Sequence, residues 1–187
     1  MTSRHAEGES KLARRFFYAS AGLFLSAALL AFALIRYLGE PFGRLPAYPP
    51  TFAVSTLLLL SGSILLQRAL YFVRRERQIS FRRSLSSALF AGTLFVGVQS
   101  YGLWSLLGHQ DPEEVQTGSA AFVFVFTGMH GLHFMIALLF LLFVTLRARV
   151  ERYDHEYYWG VIVAAGFWHL LGGAWVAILI VLVISMR

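Results

Sequence analysis

The sequence predicts an all-α polytopic membrane protein: five transmembrane helices in one bundle, with a cytoplasmic N-terminus and an external C-terminus. Three observations predict this class. Of the 187 residues, 57% are hydrophobic and only 14% are charged, a balance outside the usual range of soluble domains. Five continuous apolar segments are each long enough for the ~20 helical residues that a bilayer crossing needs. Basic residues are concentrated at alternate ends of these segments.

The predicted spans, in chain order, lie near Phe16–Leu38, Phe52–Val73, Ser84–Leu107, Ser119–Leu146 and Tyr158–Ser185. The first follows basic residues, as a signal peptide does. Its apolar run is too long for a signal peptide and no small-residue cleavage pattern follows, so we expect a retained helix. The second begins after Pro49 and Pro50, which suit a stiff entry into the first helical turn. The short connection RRERQISFRR predicts that the second and third helices are antiparallel neighbours. We expect residues 1–187 to form a single domain.

The charge distribution predicts the orientation of the bundle. If the spans alternate in direction, thirteen of the 16 basic residues share one side: Arg4, Lys11, Arg14, Arg15, Arg68, Arg74, Arg75, Arg77, Arg82, Arg83, Arg147, Arg149 and Arg152. The other side has only Arg36, Arg44 and Arg187, together with Glu40, Asp111, Glu113 and Glu114. The positive-inside rule assigns the first side to the cytoplasm. The net charge of +6 therefore reflects topology, and we expect no nucleic-acid partner.

Polar side chains deep within the spans are the candidate functional residues, because each is costly in lipid unless it is partnered. His130 and His133 are three positions apart and share one helix face, and His169 lies on the next helix. They could be metal or haem ligands, a proton route, or hydrogen-bonding groups between helices. With no cysteine in the chain and no acidic residue deep in any span, we expect the last role and no metal or cofactor. Gln99 is expected to bond a neighbouring helix or to line a polar cavity.

Several glycines flank these histidines and predict a close contact between the fourth and fifth helices. Small residues let membrane helices approach one another. Trp168, Trp175 and Phe167 either pack against this contact or face lipid. The glycines concerned are Gly128, Gly131, Gly166, Gly172 and Gly173. The sequence has no nucleotide-binding loop, zinc-protease motif or nucleophile elbow, so catalysis within this chain has no support.

Four stretches resemble the subunit III family of haem–copper oxidases. FVFTGMHGLHFMIALLFLL resembles the family's TGxHGxH helix, and FWHLLGGAW resembles its last helix. LPAYPPTFAVSTLLLLSGSILLQRAL resembles the proline-led helix, and LFAGTLFVGVQSYGLW resembles the helix after it. The likeness runs from about Leu45 to the C-terminus, and five spans match the short bacterial form. The motif positions carried over are Gln99, Thr127, Gly128, His130, Gly131, His133, Trp168, His169 and Trp175.

The resemblance implies a non-catalytic subunit of a bacterial cytochrome c oxidase in the inner membrane. Such a subunit packs against catalytic subunit I, holds phospholipid, and supports assembly and proton uptake. Haem and copper are then expected in the partner subunits and not in this chain. The short form favours cytochrome c over quinol as electron donor and a neighbouring respiratory complex as a further partner. The alternatives are a subunit III-like protein of a quinol oxidase or nitric oxide reductase system, and a stand-alone transporter.

The chain departs from the family at three positions where a carboxylate is common. Gly102 stands near one such glutamate, Ile162 stands at a second, and Gly172 stands where an aspartate usually follows the WH motif. These departures put any inherited carboxylate role in doubt, including an effect on proton uptake. They leave the expected role in assembly unchanged.

Overall fold

The computed structural model describes residues 22, 26, 50–108, 118–151, 153 and 156–185. Gly22 and Ser26 are helical and exposed, and the rest of the predicted span Phe16–Leu38 lies outside the described residues. The described secondary structure is entirely helical. Apart from Gly22 and Ser26, it consists of α1 (Pro50–Val73), α2 (Gln78–Gly108), α3 (Gly118–Arg149) and α4 (Trp159–Ser185).

These helices coincide with the second to fifth predicted spans. Helix α2 differs most, because it begins at Gln78 and the predicted span begins at Ser84. The apolar segment is only the part of a helix that fits the membrane, and α2 continues past it through Arg82 and Arg83. Three segments of the described chain are long and apolar enough to cross a membrane: Thr51–Val73, Gly128–Arg149 and Trp159–Ile180. The polytopic all-α class is thus confirmed, while the count of five spans stays a prediction.

The four helices form a closed antiparallel ring. Helix α1 contacts α2, α2 contacts α3, α3 contacts α4, and α4 contacts α1. The contacts between α2 and α3 illustrate the antiparallel arrangement, because residue numbers rise along α2 as they fall along α3. A Cβ placed at Gly92 would meet the Leu138 side chain, and one turn further along α2 the rings of Phe95 and Phe134 lie 4.4 Å apart. The predicted antiparallel pairing across the RRERQISFRR connection is also present between α1 and α2.

Aromatic side chains fill the middle of the ring. Its largest fully buried residues include Trp168, Trp175, Phe81, Phe95 and Phe134. The outer surface is also apolar, with large side chains that are more than half exposed, such as Leu57, Phe90, Leu139 and Trp104. A soluble monomer rarely exposes so much apolar surface. This surface suits lipid or protein neighbours in a membrane.

At one end of the ring, the start of α2 is linked to the α3–α4 connection by a hydrogen bond and an ion pair. The Gln78 side chain donates a hydrogen bond to the Tyr153 carbonyl oxygen at 3.0 Å, and Arg82 forms an ion pair with Glu151 at 2.8 Å. The Tyr153 ring is buried beneath Gly160, where an added Cβ would lie 2.5 Å from the phenol oxygen. Burial raises the pKa of the Tyr153 phenol above its usual value. Two connections distant in sequence therefore form one structural unit.

Candidate functional site

Trp168 lies where three other helices meet α4. Its indole N–H donates to the Leu59 carbonyl oxygen at 3.2 Å, and its ring meets Phe134 edge-on at 5.0 Å between centroids. Gly62 on α1 and Gly92 on α2 face the far edge of the indole. The Trp168 side chain is 1% exposed. Because it contacts α1, α2 and α3, it sets the spacing of these helices around α4.

Trp175, two turns further along α4, forms a second layer of the same kind. Its indole N–H donates to the Thr56 hydroxyl at 3.1 Å. Phe52 and Phe95 meet its ring edge-on at centroid distances of 5.7 and 6.4 Å, and His130 stacks on it at 5.8 Å. Each of the four helices contributes to this layer. The sequence left open whether the tryptophans pack inside the bundle or face lipid, and the structure buries both.

The structure separates the two histidines of TGMHGLH. His130 is buried between α3 and α4 against Trp175. His133 is half-buried, and its Nδ1 is 2.7 Å from the Met129 carbonyl oxygen on its own helix. The sequence predicts both imidazoles between these helices, and His133 differs from that expectation. A shift of three positions turns a side chain by about 60° around a helix, which is enough to leave the contact.

His169 bonds to α1 rather than to the histidines of α3. Its Nδ1 is 2.6 Å from the Ser63 hydroxyl, and its Nε2 is 2.8 Å from the amide nitrogen of Gln67. An amide nitrogen can only donate, so Nε2 accepts. The neutral ring then carries its proton on Nδ1 and donates it to Ser63. The three histidines therefore engage three different neighbours and do not converge.

Gln99 lies one helical turn beyond Phe95 on α2. It is buried, and its amide makes no hydrogen bond to any part of the chain that the structure describes. Both alternatives for Gln99, a bond to a neighbouring helix and a place in the lining of a polar cavity, stay predictions. Thr127 lies in the α3 backbone, and its side chain is outside the described residues.

The close approaches are made by glycines other than those that the sequence analysis selected. A Cβ added at Gly128, Gly131 or Gly173 would have nothing within 4 Å, and one at Gly172 would meet Leu59 at an ordinary 3.5 Å. Tight positions lie instead at Gly62 and Gly92, both against Trp168, and at Gly102 and Gly160, against Thr51 and Tyr153. For Gly62 and Gly92, the only signal in the sequence is their place in the small-residue runs SGS and AGT.

Within residues 50–108, 118–151, 153 and 156–185, no three His, Cys, Asp or Glu side chains are grouped so as to hold a metal ion. What the arrangement provides is packing and hydrogen bonding between helices. The expectation that this chain binds neither metal nor cofactor stays a prediction.

Comparison with known proteins identifies the family. The family model described as cytochrome c oxidase subunit III matches residues 16–185. The chain belongs to the cytochrome c oxidase subunit III family. It is 28% identical over 176 residues to the cytochrome c oxidase subunit 3 of Thermostichus vulcanus, covering 91% of this chain and 85% of the relative. This match confirms the resemblance seen in the sequence, and the chain is a subunit III of a bacterial oxidase.

Two further relatives are matched over a smaller part of their length. The cytochrome c oxidase subunit 3 of Synechocystis is 25% identical over 146 residues, which is 73% of this chain and 61% of the relative. The probable cytochrome c oxidase subunit 3 of Nocardia farcinica is 24% identical over 123 residues, which is 66% of this chain and 60% of the relative. The chain thus spans less than two thirds of both.

In this subunit III, close packing surrounds Gly102, which stands near the position where the resemblance places a family glutamate. A Cβ at Gly102 would lie 2.8 Å from the Thr51 hydroxyl and 3.1 Å from a ring carbon of Phe52. A longer side chain would have to displace the start of α1. At the other two departures, Ile162 and Gly172 are half-buried.

Proposed function

We propose that this subunit III is a non-catalytic scaffold of a bacterial respiratory cytochrome c oxidase. In this proposal it has five spans, lies in the inner membrane and packs against catalytic subunit I, where it supports assembly and proton uptake. Haem and copper belong to the partner subunits, and cytochrome c is the electron donor. Phospholipid covers part of the exposed apolar surface.

One observation carries the proposal: side chains of both family motifs serve as contacts between helices. His130 stacks on Trp175, His169 bonds to Ser63, and Trp168 donates to α1. A redox or transport site would need these polar atoms directed at a ligand or a water path. Their use in helix packing supports a structural role beside a redox centre.

The proposed orientation, with a cytoplasmic N-terminus, rests on the basic end of the ring. Arg74 lies over the Tyr158 ring at 5.5 Å, and Arg82 pairs with Glu151, so these residues share the end that holds both connections. Arg147 and Arg149 close α3 at the same end. Arginine-rich short connections are typical of the cytoplasmic side.

The decisive experiment is purification of the native complex through a tag on this chain. We expect a larger haem-bearing subunit to co-purify in fixed proportion. The same chain expressed alone in nanodiscs should show no haem absorbance, and metal analysis should find no copper. Stoichiometric haem or copper on the isolated chain would contradict the proposal.

The same purification separates the alternatives. A complex that oxidises quinol and not cytochrome c, or one that reduces nitric oxide, would assign the chain to a related system. Reconstitution of the chain alone into sealed vesicles tests the transporter hypothesis, for which we expect no proton or solute flux above empty vesicles.

A further inference from the structure

Three polar side chains lie together on the outer side of the ring, where α1 meets α4. Gln67 is exposed, and Ser63 and His169 are half-exposed. Ile64, next to Ser63 on α1, is 58% exposed, and Gly173 is exposed one turn beyond His169. We call these five residues the α1/α4 face.

The α1/α4 face lies too deep for bulk water to solvate it. His169 is about 15 Å along α4 from Trp159, at a rise of 1.5 Å per residue, and a hydrocarbon core is about 30 Å thick. Gln67 is about 10 Å along α1 from the Arg74 turn by the same measure. These polar groups are therefore at the level of lipid chains, where an unsatisfied hydrogen-bonding group is costly.

Internal bonds satisfy only part of the hydrogen-bonding capacity of this face. Gln67 uses one N–H on His169. Within the described part of the chain, its second N–H and its carbonyl oxygen have no partner. His169 in turn directs its proton to Ser63, so the hydroxyl hydrogen of Ser63 is left to donate elsewhere. The face thus offers the second N–H of Gln67 and the Ser63 hydroxyl as donors, and the Gln67 carbonyl oxygen as an acceptor, to whatever covers it.

Shape and charge indicate what covers it. A Cβ placed at Gly173 would have nothing within 4 Å, so the glycine serves no contact within the ring and leaves room for another backbone to approach. Arg68, the position after Gln67, adds an exposed cation inside the predicted second span. Exposed donors beside a cation complement a carboxylate.

We propose that the α1/α4 face is the docking surface for a transmembrane helix of another oxidase subunit, and that this helix carries a carboxylate that accepts from Gln67. Lipid chains supply no acceptor at this depth. The inference rests on the proposed function, because it needs a complex with further membrane subunits. It adds which side of the ring meets the partner and which chemistry the partner presents.

Site-directed photo-crosslinking in the native complex tests the location. A photoreactive amino acid at Ile64 or at Val176 samples the α1/α4 side, because Val176 is exposed two turns beyond His169. The controls are Phe90 on α2 and Leu139 on α3, which are 66% and 59% exposed. We expect Ile64 and Val176 to crosslink to one partner subunit, through a peptide with an Asp or Glu within a turn of the crosslink. We expect the controls to give mainly lipid adducts.

Substitutions test the chemistry. Gln67→Leu removes the outward donor, and we expect roughly three- to tenfold weaker retention of the partner, the scale of one hydrogen bond in a membrane. The control is Thr93→Val, which removes an exposed hydroxyl that bonds its own helix at Leu89 and should retain the partner. Equal losses for Gln67→Leu and Thr93→Val would show that the outward donor makes no specific contact and would overturn the proposal.

The crosslinks also separate this inference from the proposed function. Partner crosslinks from Phe90 or Leu139 but not from Ile64 would overturn the α1/α4 face and leave the scaffold role standing. A crosslink between two copies of this chain, or lipid adducts alone at Ile64, would also overturn it. If no haem-bearing subunit co-purified at all, the proposed function itself would fail.

Discussion

Replacing Gly62 with alanine tests the central packing of the bundle. The new methyl group would overlap the Cζ2 atom of Trp168 and would lie 2.9 Å from Cε2 and 3.1 Å from Cη2. The indole cannot move away easily. Its N–H is held by the Leu59 carbonyl oxygen, and on its other side a Cβ at Gly92 would already be 2.8 Å from Cη2.

Two opposing effects set the size of the change. Overpacking of a filled interior costs about 1–3 kcal/mol. Replacing glycine by alanine within a helix gains up to about 1 kcal/mol. Because the indole is held on both sides, we expect the upper part of the overpacking range and a net loss of about 1–2 kcal/mol. For a chain of this size that corresponds to a fall of roughly 2–8 °C in unfolding temperature.

The assay is thermal unfolding of the detergent-purified chain, followed by size-exclusion chromatography of the fraction that stays folded. The matched control is Gly131→Ala, where the added Cβ meets nothing within 4 Å and stability should be unchanged or slightly higher. In a Trp168→Phe background, the Gly62→Ala penalty should largely vanish, because phenylalanine lacks the overlapping atoms. If Gly62→Ala and Gly131→Ala unfolded at the same temperature, the tight packing of Gly62 and Gly92 against Trp168 would be refuted.

The remaining predictions concern the histidines, a family departure and a buried phenol. His130→Leu should lower the free energy of unfolding by about 0.5–1.5 kcal/mol, because it removes the stacking contact with Trp175. His133→Leu should lower it by less than about 0.5 kcal/mol. Equal effects in the same thermal assay would contradict the separation of the two rings. Gly102→Glu should destabilise the chain by about 1–3 kcal/mol, and Thr51→Gly should restore part of the loss, as a double-mutant cycle of unfolding temperatures can measure. Burial raises the pKa of Tyr153, so the folded state holds the phenol proton more tightly than the unfolded state. The stability from this neutral phenol is present below the unfolded value of about 10 and is lost as pH rises through the raised folded value. Tyr153→Phe should flatten the fall in unfolding temperature above pH ~10, and an unchanged pH profile would count against this origin.

The positions of the four described helices could be predicted from the sequence, most of them to within two residues at their starts. The long apolar runs and the arginine-rich connections predicted four helices where the structure has them, with α1 and α4 within two residues of their predicted starts. The start of α2 was less predictable. Hydropathy reports where a helix enters lipid, and the hydrogen bonding of α2 begins before that point, at Gln78.

The residues of the candidate site could be predicted from the sequence, but not their contacts. TGMHGLH and FWH predicted which helices carry the polar groups, and the resemblance predicted the family. The partners were not predictable. His169 bonds to Ser63 and Gln67 of α1, more than a hundred positions away in sequence. Nothing local in the chain distinguishes this pairing from one with His133.

By itself the sequence determined the membrane class, the order of these helices and the subunit III family, because composition, run length and motif spacing are properties of the chain alone. Only the tertiary structure decided which side of each helix faces inward. The helices are apolar on nearly every side, so no polar stripe marks their lipid-facing surface. The rotation of each helix is set by how large side chains interlock. That is why Gly62 and Gly92 admit Trp168 to the centre of the ring, while Gly128 and Gly131, beside the histidines, face open space.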